Sequence, residues 1–401
     1  MTQNNIKTPA LRFPDFERDW VVHRLGDFIE EYKEKTTTPD EYEVFTSARS
    51  GLVRQVEYYG ENRLTERDNI GFNIIPPHYI TYRSRSDDRC FYFNENNLGQ
   101  TGIVSVYYPV FRIKNGHNKF FIELFSQKSH FIGRYSVGTS QTVLSLSELK
   151  EIKLPIPDEN EQNKIAEMLA AVDMKISQIE KKKYLLEEYK RGCAERLFSQ
   201  DVRFRGGNGE LFPNWKKAKL GDIVKFYKGR GISKENISVM GKTPCIRYGE
   251  LYTCYGQYIS KPLSRTDVPT DQLFLSNAGD VIIPSSGETA IDIATAACVE
   301  DAGVALGGDL NVLRWSGNGL FLAYYLTYHK RREIAQSAQG VSVVHLYADA
   351  LRGLSADIPC CEEQKRIAAF IRSMDQKIEV VSAQIELAKT FKRGLLQQMF
   401  I

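Results

Sequence analysis

No run of eighteen apolar residues occurs in this 401-residue chain, so no segment has the length to cross a membrane as a helix. Met1 to Ala10 is polar and lacks the apolar core of a secretory leader. Cysteine is sparse: seven residues, an odd number, with no Cys-x-x-Cys spacing. That argues against a disulfide framework and fits a reducing compartment, so a cytoplasmic location is expected. Neither adjacent Cys360 and Cys361 nor Cys245 and Cys254 are spaced as zinc ligands, and the six histidines (His23, His78, His117, His130, His329, His345) are scattered. No metal site is expected. A Gly-x-x-x-x-Gly-Lys phosphate loop is missing, which argues against ATP hydrolysis by this chain. A dominant charge is missing too: the net charge is +3. Residues 1–157 hold 20 basic and 20 acidic residues, and residues 203–359 hold 18 and 15. Any nucleic-acid contact must therefore come from local patches rather than a global field.

Two short stretches echo catalytic motifs and fall short of them. Ile75-Pro76-Pro77-His78 has the outline of an amino-methyltransferase motif. Ile75 stands where a polar residue would hold the target amine, and His78 replaces the stacking aromatic. Pro14-Asp15 with Glu31-Tyr32-Lys33 has the letters of a metal-dependent nuclease. The second half of the chain preserves neither part. No catalytic residue is expected.

What the chain does contain is a repeat. Glu161-Gln162-Asn163-Lys164-Ile165-Ala166 returns as Glu363-Gln364-Lys365-Arg366-Ile367-Ala368, at an offset of 202. The alignment runs without a gap from 161–198 onto 363–400, with 12 of 38 positions identical. Asp173/Asp375 and Lys190/Lys392 are among them. Upstream, Gly138/Gly340, Leu144/Leu346 and Ile156-Pro157/Ile358-Pro359 keep the same offset. Trp20…Leu25-Gly26-Asp27 matches Trp215…Leu220-Gly221-Asp222 at an offset of 195. The middles, roughly 40–118 and 235–318, do not align. One frame is used twice around two different inserts.

Residues 158–212 and 360–401 lack proline, and each stretch follows a proline and opens with acidic residues. Apolar residues then recur at steps of four and three: Ile165, Leu169, Val172, Ile176, Ile179 and Leu186, and Ile367, Ile371, Met374, Ile378, Val381 and Ile385. This is a coiled-coil seam, interrupted by Lys183, Lys190 and Lys392. The economical partner for each helix is the other copy, antiparallel about a pseudo-twofold axis; the alternative is that each helix packs separately onto its own domain. Four segments are expected: a globular domain at 1–157, a long helix at 158–202, a second globular domain at 203–359 and a second long helix at 360–401. The fold class expected is α/β (α+β), mostly β in the domain middles. Strands are predicted at 42–47, 74–82, 102–113, 243–248, 280–284 and 310–315, with helices at 119–135 and 319–337.

Leu149-x-x-Ile-x-Leu-Pro-Ile-Pro157 followed by Glu-Gln-x-x-Ile-Ala, its degraded second copy and the two Trp…Leu-Gly-Asp openings resemble the specificity subunit of type I restriction-modification systems. The resemblance implies two target-recognition domains, each reading half of a split, asymmetric double-stranded DNA target. It implies that the helices set the gap and dock methyltransferase (modification) subunits, and that restriction (translocase-nuclease) subunits join them. No cofactor is implied for this chain; S-adenosylmethionine and ATP belong to those partners. The competing reading is a structural coiled-coil adaptor joining two protein-binding domains.

Base readout requires polar side chains on loops that reach groove edges. In the first domain Ser47, Arg49, Ser50, Gln55, Arg83, Ser84, Arg85, Thr139, Ser140 and Gln141 meet that description. In the second, Lys228, Arg230, Lys234, Arg247, Tyr248, Ser285, Ser286, Thr289 and Ser342 do. His329-Lys330-Arg331-Arg332 is a further basic patch.

Overall fold

The computed structural model of the chain describes residues 8–60, 68–340 and 343–400. It divides into two compact units, residues 1–179 with 384–401 and residues 180–383. Both long helices, Glu159–Phe198 and Cys361–Met399, are cut near their middles rather than at their ends. The reason lies in the packing. Each half-helix buries its apolar face with a recognition domain, so a helix and its domain do not form separate bodies.

In the first unit, strand Val21–Arg24 pairs antiparallel with Lys153–Ile156, Val21 opposite Ile156. A four-stranded sheet follows in the order Ile29–Tyr32, Val110–Ile113, Ile80–Tyr82, Phe93–Glu95. In the second unit Lys216–Lys219 pairs with Ser355–Ile358, Lys216 opposite Ile358. Its sheet runs Val224–Lys228, Leu310–Trp315, Val281–Pro284, Ala297–Val299, Tyr258–Ile259. The two offsets of the sequence meet in these pairings. Val21 shifts by 195 to Lys216, and its partner Ile156 shifts by 202 to Ile358.

The Trp…Leu-Gly-Asp openings now have a physical account. Leu25 and Leu220 are fully buried. Their amides donate to the Ile152 and Leu354 carbonyls, each at 2.9 Å. A Cβ on Gly26 would lie 3.0 Å from the Lys150 carbonyl oxygen, and one on Gly221 would lie 3.2 Å from that of Arg352. Glycine lets the turn sit against that backbone.

The Glu-Gln pairs have an account as well. Glu161 and Glu363 are buried, and each receives two hydrogen bonds from an arginine, Arg12 (2.7 and 2.8 Å) and Arg203 (3.1 and 2.8 Å). Gln162 donates to the Pro157 carbonyl at 2.9 Å and accepts from the His117 amide at 3.3 Å. Gln364 does the same with Pro359 (2.8 Å) and the Asn318 amide (2.9 Å). The motif ties the start of each long helix to the start of a recognition-domain helix, Asn118–Gln127 or Gly319–Tyr328.

Leu169 shares a core with Leu395, Leu396, Met399 and Phe400 in the first unit; Ala194, Leu197 and Phe198 share one with Ile367, Ala368 and Ile371 in the second. The start of one long helix thus meets the end of the other, an antiparallel arrangement seen within each unit. Of the seam residues, Ile165, Leu169, Ile176, Ile367, Ile371, Met374, Val381 and Ile385 are buried, and Val172, Ile179, Leu186 and Ile378 are half-buried. All three interrupting lysines carry ion pairs: Lys183 meets Glu187 of its own helix at 3.6 Å, Lys190 meets Asp375 at 2.6 Å and Lys392 meets Asp173 at 2.7 Å.

Several predicted elements are shorter than expected. The stretch 74–82 is two strands, because Pro76 and Pro77 cannot both serve a ladder and His78 turns the chain at φ 66°. The stretch 102–113 is likewise split into Gly102–Val104 and Val110–Ile113. Each late helix breaks after ten residues, at Lys128 and at His329-Lys330.

Candidate nucleic-acid interface

In the first unit, hairpin Phe45–Ala48/Gly51–Arg54, the short helix Gln55–Tyr59 and the loop after Ile80–Tyr82 enclose a cleft of about 480 Å³. Ser47, Arg49, Ser50, Arg83 and Arg85, five of the sequence candidates, line it together. The hairpin and these arginines all lie within 40–118, the stretch that does not align with the second half of the chain. Arg83 is exposed and has no ion pair among the described residues, whereas Arg49 is held by Asp88 at 2.7 Å and lies 5.4 Å from the Tyr92 ring centre. Arg85 lies 3.9 Å above the Tyr107 ring. The Ser86 hydroxyl, followed by the Cys90 amide, holds the Asp88 carboxyl below the usual carboxylate range, so the acid stays charged beside Arg49.

The remaining first-domain candidates lie elsewhere. Ser84 is buried and its hydroxyl donates to the Tyr107 carbonyl at 2.6 Å, so the fold uses it. Gln55 opens the short helix, half-buried, outside the cleft lining. Thr139, Ser140 and Gln141 are exposed on a tight hairpin closed by Val137 and Val143. Its Gly138 has φ +124°, and an added Cβ would lie 2.5 Å from the Gln141 carbonyl oxygen. Gln141 reaches Asp87 at 3.4 Å.

The second-domain candidates are more dispersed. Lys228 and Ser285 line one groove. Arg230 and Lys234 are exposed on the following loop. Arg247 is tied to Glu250 at 3.4 Å, and exposed Tyr248 follows it. Ser286 is buried in a strand opposite His345. Thr289 caps the helix Ala290–Ile293, accepting from the Asp292 amide at 3.1 Å. Ser342 lies outside the described residues, while Gly340 repeats the positive φ of Gly138 at +119°. The basic patch is a free surface only in part, with Arg332 exposed. Lys330 is buried and paired with Glu333 at 2.7 Å, and burial lowers the pKa of His329.

Sequence reasoning missed the aromatic walls of the first cleft: Tyr58, Tyr59, Tyr92 and Tyr108. Exposed tyrosines near arginines in a polar insert were the available signal; Tyr58 is 53% exposed. Arginine with aromatic faces suits nucleobases and phosphates alike. Among the described residues no cluster of His, Cys, Asp or Glu could hold a metal ion.

Comparison with known proteins agrees with the repeat. The type I restriction modification DNA specificity domain matches twice, over residues 17–188 and 213–389. The chain is 26% identical over 285 residues to a putative type I restriction enzyme MjaX specificity subunit of Methanocaldococcus jannaschii. That match covers 68% of this chain and 64% of the relative. The MjaVIII specificity subunit of the same organism is 24% identical over 98% of this chain and 94% of its own length. In fold, the chain is similar to the S subunit of a type I restriction-modification system from M. genitalium, with a TM-score of 0.59, 16% identity and coverage of 98% and 99%. A second similar structure comes from work on complex assembly in a type I system, with a TM-score of 0.54, 16% identity and coverage of 95% and 97%. With the domain matched in both halves, the chain belongs to the family of type I restriction-modification DNA specificity proteins.

Proposed function

We propose that this chain is the DNA-recognition subunit of a type I restriction-modification complex. Each recognition domain reads one half of a bipartite, asymmetric DNA target. The observation that carries this reading is one frame kept twice around two unlike inserts, with one insert forming the arginine-lined cleft. Unlike inserts read unlike half-sites, so the target is not a palindrome. The paired helices set the spacing between half-sites and carry methyltransferase subunits, which translocase-nuclease subunits join. Chemistry belongs to those partners: S-adenosylmethionine and ATP are theirs, and this chain supplies recognition alone. The complex works in the cytoplasm; no helix among the described residues is long and apolar enough to cross a membrane. The adaptor reading lacks support from the family to which the chain belongs.

Within the first cleft, Arg83 is the best-placed base reader, because its guanidinium is exposed and not neutralised by any described carboxylate. The test is methylation mapping with the chain, its methyltransferase subunit, labelled S-adenosylmethionine and random-sequence duplex DNA. A split, non-palindromic site is expected. Label incorporated without the partner would instead indicate catalysis in this chain. Absence of any sequence preference in the assembled complex would overturn the reading.

A further inference from the structure

Besides the cleft of the first unit, each unit carries a groove, and the two grooves occupy the same place in the frame. In the first unit it is lined by Tyr32, Lys33, Ser84 and Lys150, and in the second by Tyr227, Lys228, Ser285 and Arg352. Tyr32-Lys33 shifts by 195 to Tyr227-Lys228, and Lys150 shifts by 202 to Arg352. Strand register matches the serines. Ile80 faces Phe111, and Val281 faces Leu313, the residue 202 beyond Phe111, so Ser84 and Ser285 each stand four residues along the equivalent strand.

The backbone beneath the grooves is the same as well. The Ser84 amide donates to the Tyr107 carbonyl, and the Ser285 amide donates to that of Asp309, 202 residues further on. The Ser84 and Ser285 carbonyls accept from Leu144 and Leu346, both at 2.9 Å. The surrounding side chains have meanwhile diverged: Glu31 became Phe226, Tyr107 became Asp309 and Ser145 became Tyr347.

Packing explains part of this retention. The Cβ atoms of Lys150 and Arg352 lie against Gly26 and Gly221. That contact requires a side chain but not a cation. Nor does packing explain Lys33 and Lys228, both exposed. Carboxylates temper the charge without cancelling it. Glu31 is 3.5 Å from both Lys33 and Lys150, Asp349 is 2.5 Å from Arg352, and Lys228 has no ion pair among the described residues.

We propose that these paired grooves bind the phosphodiester backbone of DNA, with Lys33 and Lys150 in one unit and Lys228 and Arg352 in the other as the phosphate contacts. The inference rests on the DNA-recognition reading above. Two domains that read different bases share only one chemical feature of their ligand, the backbone, and side chains kept in both copies match that shared feature. Ser84 and Ser285 then belong to the groove floor rather than to base readout. Specificity resides in the insert cleft, and affinity common to all sequences resides in the frame.

The experiment uses the chain assembled with its methyltransferase subunits. Lys33→Gln/Lys150→Gln and Lys228→Gln/Arg352→Gln are made singly and together, and binding to target and scrambled duplexes is measured across a salt series. Each double variant weakens both duplexes by the same factor, and the slope of log K against log salt falls by about 1 for each phosphate no longer neutralised. The methylated sequence stays the same. Lys33→Arg/Lys150→Arg and Arg352→Lys keep the slope, which separates charge loss from misfolding. An unchanged slope, or a change confined to one half-site, overturns the inference. If the unaltered complex shows no sequence preference, the recognition reading itself fails; if it shows one and the slopes do not move, only the groove assignment fails.

Discussion

Lys190 and Asp375 lie 2.6 Å apart, an ion pair between the end of one long helix and the first half of the other. The same two repeat positions pair crosswise in the other unit, Lys392 with Asp173 at 2.7 Å. These lysines interrupt an apolar seam, and the acids explain how the interruption is tolerated. Each pair recruits a different third group. Lys119 bonds Asp173 at 2.6 Å, whereas the Tyr324 hydroxyl donates to Asp375 and the Tyr328 ring lies 5.4 Å from Lys190.

Both members of the Lys190–Asp375 pair are largely buried, with side-chain exposures of 13% and 14%. Lys190→Ala is expected to cost about 3 kcal/mol, because it leaves a carboxylate partly desolvated without its cation. Lys190→Met with Asp375→Leu recovers most of that loss. Urea unfolding of Lys190→Met, Asp375→Leu and the two together gives the coupling directly.

The cluster around Asp173 sets a pH dependence. Burial opposes ionisation of Asp173, but hydrogen bonds from Lys119 and Lys392 prevail and its pKa stands below the usual value. Its contribution is present above the unfolded pKa of about 4 and is lost as pH falls through the lower folded value. For Lys119, burial lowers the pKa, and Asp173 and Glu123 raise it further than burial lowers it. That contribution is present below the unfolded pKa and is lost as pH rises through the folded one. Melting temperature followed between about pH 2 and about pH 6, the span across that carboxylate transition, is expected to change more steeply in the parent chain than in Asp173→Asn. Equal slopes would refute the assignment.

Glu161→Ala and Glu363→Ala each strip a buried carboxylate from its arginine, and each is expected to cost about 3 kcal/mol. Glu363→Ala costs about 1 kcal/mol more, since the Trp215 indole N–H also donates to Glu363 at 3.0 Å. The Trp20 indole N–H, by contrast, has no partner among the described residues. Hydrogen exchange is expected to rise first around Arg12–Trp20 in one variant and around Arg203–Trp215 in the other.

Arg83→Ala is expected to relax recognition at one base pair of the first half-site, at a cost of about 1–3 kcal/mol there. Arg49→Ala has a smaller effect, because Asp88 already engages that guanidinium. Methylation mapping should show the second half-site unchanged in both variants.

The repeat and its two offsets were legible because identical letters at a fixed spacing survive without knowledge of the fold. The seam was legible because burial along a helix follows a simple period. Hydrogen-bond assignments were not. Nothing in the letters distinguishes Ser84, bonded to Tyr107, from Ser47 in the cleft. Lys330 looks like its exposed neighbour Arg332 until a helix break buries it. The unit boundaries were hidden for a related reason. They depend on which distant segment completes each core, and sequence order does not record that.

Phe400 packs 6.3 Å from Trp20 and 5.4 Å from Phe120, and the Leu11 amide donates to the Gln398 carbonyl. On the ribosome, therefore, the unit begun first is finished last. Its core stays open while residues 180–383 are made, and the other unit has all of its chain before the first can close. A nascent chain that stops at residue 383 would display one closed recognition unit and one still lacking a wall of its core.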